Sequence, residues 1–313
     1  MTIQGRARTP GPLGGPGGSI NGNQGRSPGP VGNTLWDKKT AKAPPPATRP
    51  AARKTVMPAP TNDQDSKDVH VVTWALFGSK KSPTFEEIKQ AQGLANCPVA
   101  AILAALAFTA SGRALLQKMV KETQAPTITD LAGLDKDVLS NPPAGMKLTS
   151  PRYFTVALPR GTVEVSDVLY TDDHDSGWSP LYMRDPHEQS LWGSIIEKAL
   201  AVQLDNSYEN FDALPLSAND FWEKITGAKP GGFDVDAKTP TDKIVDAARA
   251  AVRVPTIGAS RDSGTRFVSE FHGHAMLGLD GSKLKLYDPA KAKTLSLTVA
   301  QFQQDFKAVL FQK

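Results

Sequence analysis

The chain has 313 residues, 36 Lys and Arg against 32 Asp and Glu, one cysteine and no apolar run near the ~18 residues a membrane span needs. Intramolecular disulfides and cysteine-based zinc sites are therefore excluded. The net +4 is uneven: residues 1–60 hold nine Lys and Arg against Asp37 alone, a net +8, and the other 253 hold 27 against 31, a net −4.

Residues 1–66 read as a disordered basic tail. About a third of residues 1–60 are Pro or Gly, as in GGPGGS and Pro44-Pro45-Pro46, and such a segment buries too little apolar surface to offset its ordering entropy. The basic pI belongs to this tail, so no nucleic-acid partner is expected of the rest. Arg6 and Arg8 are followed by Gly and Pro rather than an apolar stretch, so no ordinary secretory signal is expected. A cytoplasmic location, or export without a cleaved signal as for a bacterial effector, fits that composition.

Residues 67–313 suit one large domain or two small ones. Val69–Phe77 is β-branched and apolar, a strand or a docking segment. Thr84 with Glu87 three residues on sets up a helix start. A helix runs from Cys97 through Ile102, Leu103 and Leu106; Gly112 suggests a break before a further helical stretch. Residues 122–150 are loop-rich around Pro142-Pro143, Arg152–Val168 reads as strands, and Asp172-Asp173-His174-Asp175 reads as a polar loop. Leu191–Leu204, Ala218–Ile225 and Thr241–Val252 carry helical spacing, with Thr241 as a cap. Short β-like runs follow at 256–258, 267–271, 274–279 and 283–287, with Asp280-Gly281 a hairpin signal between the last two. Thr298–Leu310 is a last amphipathic stretch. Helices first and an antiparallel sheet later indicate an α+β fold.

The chemistry gathers at three places. Cys97 sits just before an Ala/Leu-rich helix, where the macrodipole and free N–H groups favour thiolate; Pro98 suits the first turn. A small buried hydrophobe is the plain alternative. His274 opens a strand and Asp288 closes its hairpin neighbour, so both fall at one sheet edge, where a carboxylate can orient an imidazole for a thiol. His272, two residues earlier on the same face, competes with His274. A metal held by both has no further ligand at recognisable spacing, and no cofactor or metal is expected. Gln92, or else Gln90, lies close enough upstream of Cys97 to supply an oxyanion donor.

Together these segments resemble the papain-like cysteine peptidases, specifically the calpain protease core. Gln92-Gly93-Leu94-Ala95-Asn96-Cys97-Pro98-Val99-Ala100-Ala101-Ile102 resembles the family's stretch around its nucleophile. Ser190-Leu191-Trp192-Gly193-Ser194-Ile195-Ile196-Glu197-Lys198-Ala199 and Asn206-Ser207-Tyr208-Glu209 resemble its tryptophan-centred block, and Phe221–Gly227 the motif after it. Gly273-His274-Ala275 and Leu286-Tyr287-Asp288-Pro289 fall where the family has its His and Asn motifs. Order and spacing agree over about residues 85–310. Four positions depart: glutamine is five rather than six residues before the cysteine, Pro98 replaces Trp, Asp288 replaces Asn, and the Trp after Asn-Pro is absent.

The resemblance implies a two-lobed α+β fold, a helical lobe with Cys97 and a β lobe with His274 and Asp288. It implies peptide-bond hydrolysis through a thioester, with Cys97 attacking, His274 exchanging the proton, Asp288 orienting it and Gln92 holding the oxyanion. A polypeptide is then the expected partner, the tail included as a self-processing substrate. Calcium dependence is not expected, since the family's calcium loops do not map onto residues here; the acidic run before Trp178 reads as a solvated turn. A deamidase or transglutaminase using the same triad, and a non-catalytic pseudopeptidase, are the alternatives.

Overall fold

The computed structural model describes residues 58, 69–90, 94–123, 151–174, 177–262, 268–269 and 271–313. The 1–66 tail and its boundary therefore lie outside the described residues, apart from residue 58, as do most of the loop-rich 122–150 segment and Gln92.

The fold is mixed α+β with antiparallel sheets. A six-stranded sheet holds strands β7 (Gly231–Asp234), β8 (Thr256–Ser260), β9 (Gly273–Asp280), β10 (Lys283–Asp288), β11 (Lys293–Leu297) and β12 (Phe306–Phe311) in the order β11-β10-β9-β8-β12-β7. Two three-stranded sheets come from earlier in the chain. One is β2 (Val120–Thr123), β3 (Tyr153–Leu158) and β4 (Gly161–Ser166); the other is β1 (Val69–Val71), β5 (Val168–His174) and β6 (Gly177–Pro180) in the order β1-β5-β6. Strands thus precede as well as follow the middle helices, β3 and β4 within the expected Arg152–Val168 run.

Helix α1 (Cys97–Phe108) is the centre of packing. Eleven of its twelve residues are buried, all but Phe108. A helix apolar all round belongs inside a core, and its five Ala favour helix at no side-chain entropy cost. It ends at Thr109, whose hydroxyl accepts from the Gly112 N–H and starts α2 (Ala110–Met119). The break comes at Thr109, not Gly112, because a cap residue with extended backbone competes with helix there. Gly112 lies inside α2, where a Cβ would fall 2.2 Å from the Leu106 carbonyl oxygen.

The later helices are α3 (Trp192–Gln203), α4 (Asn210–Ala213), α5 (Ala218–Thr226), α6 (Thr241–Ala251) and α7 (Val299–Asp305). Phe85–Glu87 is a single 3-10 turn rather than a helix, closed by the expected Thr84–Glu87 box. Pro240, not Thr241, occupies the cap of α6. The last amphipathic stretch is helical only to Asp305; Phe306–Phe311 extends into β12 and pairs with both β8 and β7. Phe306, Val309 and Phe311 are residue types that suit such a place in a sheet. Asp172–His174 belongs to β5, paired with β6, rather than to a loop, and of the 267–271 run only Phe271 and residues 268–269 are described, none of them in a strand. Among the described residues no single helix is long and apolar enough to cross a membrane.

The six-stranded sheet divides two cores. Ala275, Leu277 and Tyr287 face the cluster built on α1, α3 and α5, while Met276, Leu284 and Leu286 face the one built on α6, Phe302 and Phe306.

Candidate functional site

The Asp280-Gly281 turn forms as expected, with Gly281 at φ +60° and Asp280 opposite Lys283. A bulge follows: Gly278 (φ +114°) faces Lys285, and the next pair is Met276 with Leu286. Without that extra residue, symmetric counting from the turn would set Asp288 against Ala275. The bulge advances the register, Tyr287 faces Ala275, and Asp288 comes beside His274.

His274 and Asp288 are both fully buried, with Nε2 3.8 Å from Oδ2. The carboxylate's closer partner is His272, whose Nε2 lies 2.9 Å from Oδ1. Oδ1 also accepts from the Ala290 and Lys291 N–H groups, and the Lys291 Nζ stands 3.4 Å from Oδ2. Burial works to raise the Asp288 pKa. The His272 hydrogen bond and the charges of His274, His272 and Lys291 outweigh it and hold the carboxyl well below the usual range. The His272 backbone is pinned on its other edge by Ser260, which accepts from its N–H and donates to its carbonyl. The competitor at 272 thus holds the contact that sequence reading assigned to 274.

Cys97 is the first residue of α1, 5% exposed, with its sulfur 3.5 Å from the Phe271 carbonyl oxygen. The Gly273 N–H also favours the thiolate. In an extended chain the carbonyl of residue 271 and the amide of 273 point to one side, so the sulfur lies along the backbone edge of His272. Neither imidazole hydrogen-bonds it among the described residues. A Cβ on Gly273 would meet the Cys97 carbonyl oxygen and the Ala101 Cβ at 3.0 Å each, so position 273 faces α1. Strand alternation turns 272 and 274 the other way, and the His274 ring packs edge-on against Phe306, 5.2 Å between centroids, in the second core. His274 and Asp288 are brought together as expected; Cys97 and His274 are not. The reason is the parity of β9, which gives the helix-facing place to glycine.

Helix-end activation is outweighed as well. Burial, with the Asp212 and Asp288 charges, pushes the thiol up to about 12 against the pull of the Gly273 and Cys97 N–H groups. Burial and the neighbouring His272 charge bring His274 down to about 3 despite Asp288.

The segment before Cys97 is tied to the end of β10: the Tyr287 hydroxyl donates to the Ile88 carbonyl at 2.7 Å, and the Gln90 N–H to the Pro289 carbonyl at 3.0 Å. The Gln90 side-chain amide donates to the Leu94 carbonyl, which engages it in loop closure rather than in an oxyanion site. Asn96 and Glu197 went unnoticed as supports: the Asn96 amide donates to Glu197 Oε1, and the Met183 N–H donates to Oε2 at 2.8 Å. Burial raises Glu197 to about 7 against those two donors. Trp192 Nε1 donates to Glu87 at 2.6 Å. The tryptophan block therefore anchors the entry to α1. An acid buried at a core position of an amphipathic helix was the available signal.

No family model matches the chain, and no curated protein sequence matches it.

Proposed function

We propose that the chain is a papain-like cysteine peptidase, hydrolysing polypeptides through a thioester. The observation that carries this reading is the lone cysteine at the first position of a buried helix, its sulfur on the backbone edge of a histidine whose ring a buried aspartate holds at 2.9 Å. We take His272, the imidazole nearest to Asp288, as the base in place of the expected His274; its ring shares the strand parity of His274, so it reaches the sulfur only as Phe271 is displaced.

In the reaction the Cys97 sulfur bonds to the substrate carbonyl carbon while His272 takes the thiol proton. The Cys97 N–H, free of an intrahelical partner at the helix start, faces the developing oxyanion. The C–N bond breaks, His272 passes its proton to the leaving amine, and a water molecule deprotonated by the same imidazole cleaves the thioester. Asp288 keeps the ring oriented and stabilises its charged form.

The thiol must first leave the Phe271 carbonyl. Phe271 is held at φ +47°, a conformation costing about 1–3 kcal/mol in a non-glycine residue, and its ring is exposed. Entry of a peptide strand displaces this residue, frees the sulfur and relieves the strain.

The test is cleavage of a denatured protein in a metal-free buffer, by the wild type and by Cys97→Ser. Release of ammonia without chain cleavage would identify the deamidase alternative. One observation favours a non-catalytic binding module: the buried, neutral thiol has no imidazole partner. An irreversible epoxide separates that module from an enzyme, since only the enzyme is labelled at Cys97.

A further inference from the structure

We propose that His272, His274 and Asp288 form a binding site for a divalent zinc-class ion. One donor atom from each residue lies within 4.8 Å of the others, and among the described residues no other group of His, Cys, Asp or Glu is so placed. The set is two imidazoles and one carboxylate, the donors that suit zinc and related first-row ions.

The independent observation is the state of the donor atoms. Nδ1 and Nε2 of His274 and Oδ2 of Asp288 are buried without a hydrogen bond, although His274 is 0% exposed. A neutral imidazole always has one nitrogen lone pair, and leaving such a group dry and unpaired is costly. Here the His274 Nε2 faces Asp288 Oδ2 at 3.8 Å, and both are lone-pair donors when the ring carries its proton on Nδ1. A cation between them satisfies both. Zinc ligands stand about 2.0–2.2 Å from the metal, so ligand atoms must approach to roughly 3.5 Å; His272 Nε2 is 2.9 Å from Oδ1 and His274 Nε2 3.8 Å from Oδ2, and with the whole set within 4.8 Å the side chains close by about an ångström around the ion. The partly exposed Lys291 ammonium, 3.4 Å from Oδ2, occupies the cation's side of the carboxylate and must swing out to solvent as the ion enters.

The consequence for activity rests on the reading of His272 as the base. With Nε2 of His272 on zinc the neutral ring carries its proton on Nδ1 and has no lone pair left for the thiol proton, so zinc and catalysis exclude each other and the ion acts as an inhibitor. The binding claim itself does not depend on that reading.

The experiment is calorimetric titration of the chelator-stripped full chain with zinc chloride, repeated with cobalt chloride as a spectroscopic probe. One equivalent binds. His272→Gln and His274→Gln each weaken binding at least about tenfold, Lys291→Met strengthens it roughly threefold, and Cys97→Ser leaves it unchanged. The cobalt complex shows visible ligand-field bands without a thiolate charge-transfer band. No stoichiometric zinc binding by folded wild type, judged by circular dichroism, overturns the site. So does binding that survives both His variants, or that is lost in Cys97→Ser. Zinc binding by a metal-free protein that cleaves nothing would leave the site standing and remove the peptidase reading. Cleavage by a protein that binds no zinc would do the reverse.

Discussion

Two buried polar clusters in this molecule are built in opposite ways. Around α3 every charge is closed off: Lys198 Nζ donates to the Ser166 carbonyl and hydroxyl and to the Val168 carbonyl, and both Glu197 oxygens accept. Nearby, Asp167 takes the Arg152 side chain and backbone N–H. At the start of β9 the cluster is left open: both His274 nitrogens lack a hydrogen bond, and Asp288 Oδ2 has no hydrogen bond and only the exposed Lys291 ammonium at 3.4 Å. Closed networks fix a fold, whereas open ones hold donor capacity in reserve for something that arrives.

Substitutions can break or sharpen that contrast. In the closed cluster Glu197→Ala strands the Asn96 amide and the Met183 N–H and opens a cavity, so it should destabilise by about 3–5 kcal/mol, measured by urea unfolding. The pH dependence of the same residue gives a slightly smaller effect. Glu197 is protonated in both states below its ordinary 4.5; as pH rises toward about 7 the unfolded chain ionises it and the folded chain does not. Its contribution is therefore present at low pH and lost between about 4.5 and 7, on the order of 3 kcal/mol. Glu197→Gln should flatten that slope in unfolding curves taken across the window.

Gly273→Ala pushes a methyl group against the α1 backbone at 3.0 Å. It should cost about 1–3 kcal/mol and shift the melting temperature down. In the open cluster the sign reverses. His274→Leu replaces an unpaired buried imidazole by an apolar side chain of similar size, and should be neutral or stabilising by up to about 1–2 kcal/mol in the metal-free protein. A loss as large as that of Glu197→Ala would erase the distinction between the clusters. Gly278→Ala, at φ +114° in the bulge, should cost about 1 kcal/mol and no more than Gly273→Ala.

What sequence reading reached and missed follows the range of the signals. The Asp280-Gly281 hairpin, the Thr84–Glu87 box and the Ala-rich helix after Cys97 are local patterns, and all three are present. The pairing of His274 with Asp288 came from counting across the turn, and it holds only because the Gly278 bulge shifts the register by one. The choice between His272 and His274 could not be made that way, because the two share one parity and only the assembled sheet brings Asp288 to 2.9 Å from His272 and 3.8 Å from His274; that neither ring faces α1 follows from Gly273 packing against Ala101, a contact 172 positions apart along the chain. Thr298–Leu310 read only as one amphipathic stretch; its division at Phe306 and the place of Phe306–Phe311 between β8 and β7 are tertiary. Burial of Cys97, which overrides the helix-end effect on its thiol, is equally a property of the assembled core.

The central claim is that Cys97 works with the imidazole held closest by Asp288. It is tested most directly by the cleavage rate of a denatured protein, in chelator-containing buffer, for wild type, Cys97→Ser, His272→Gln and His274→Gln. The account predicts cleavage by wild type, losses of at least about a thousandfold for Cys97→Ser and His272→Gln, and a smaller loss for His274→Gln. Cleavage undiminished by Cys97→Ser, or a wild type that cleaves nothing and is not labelled by an epoxide, would contradict it.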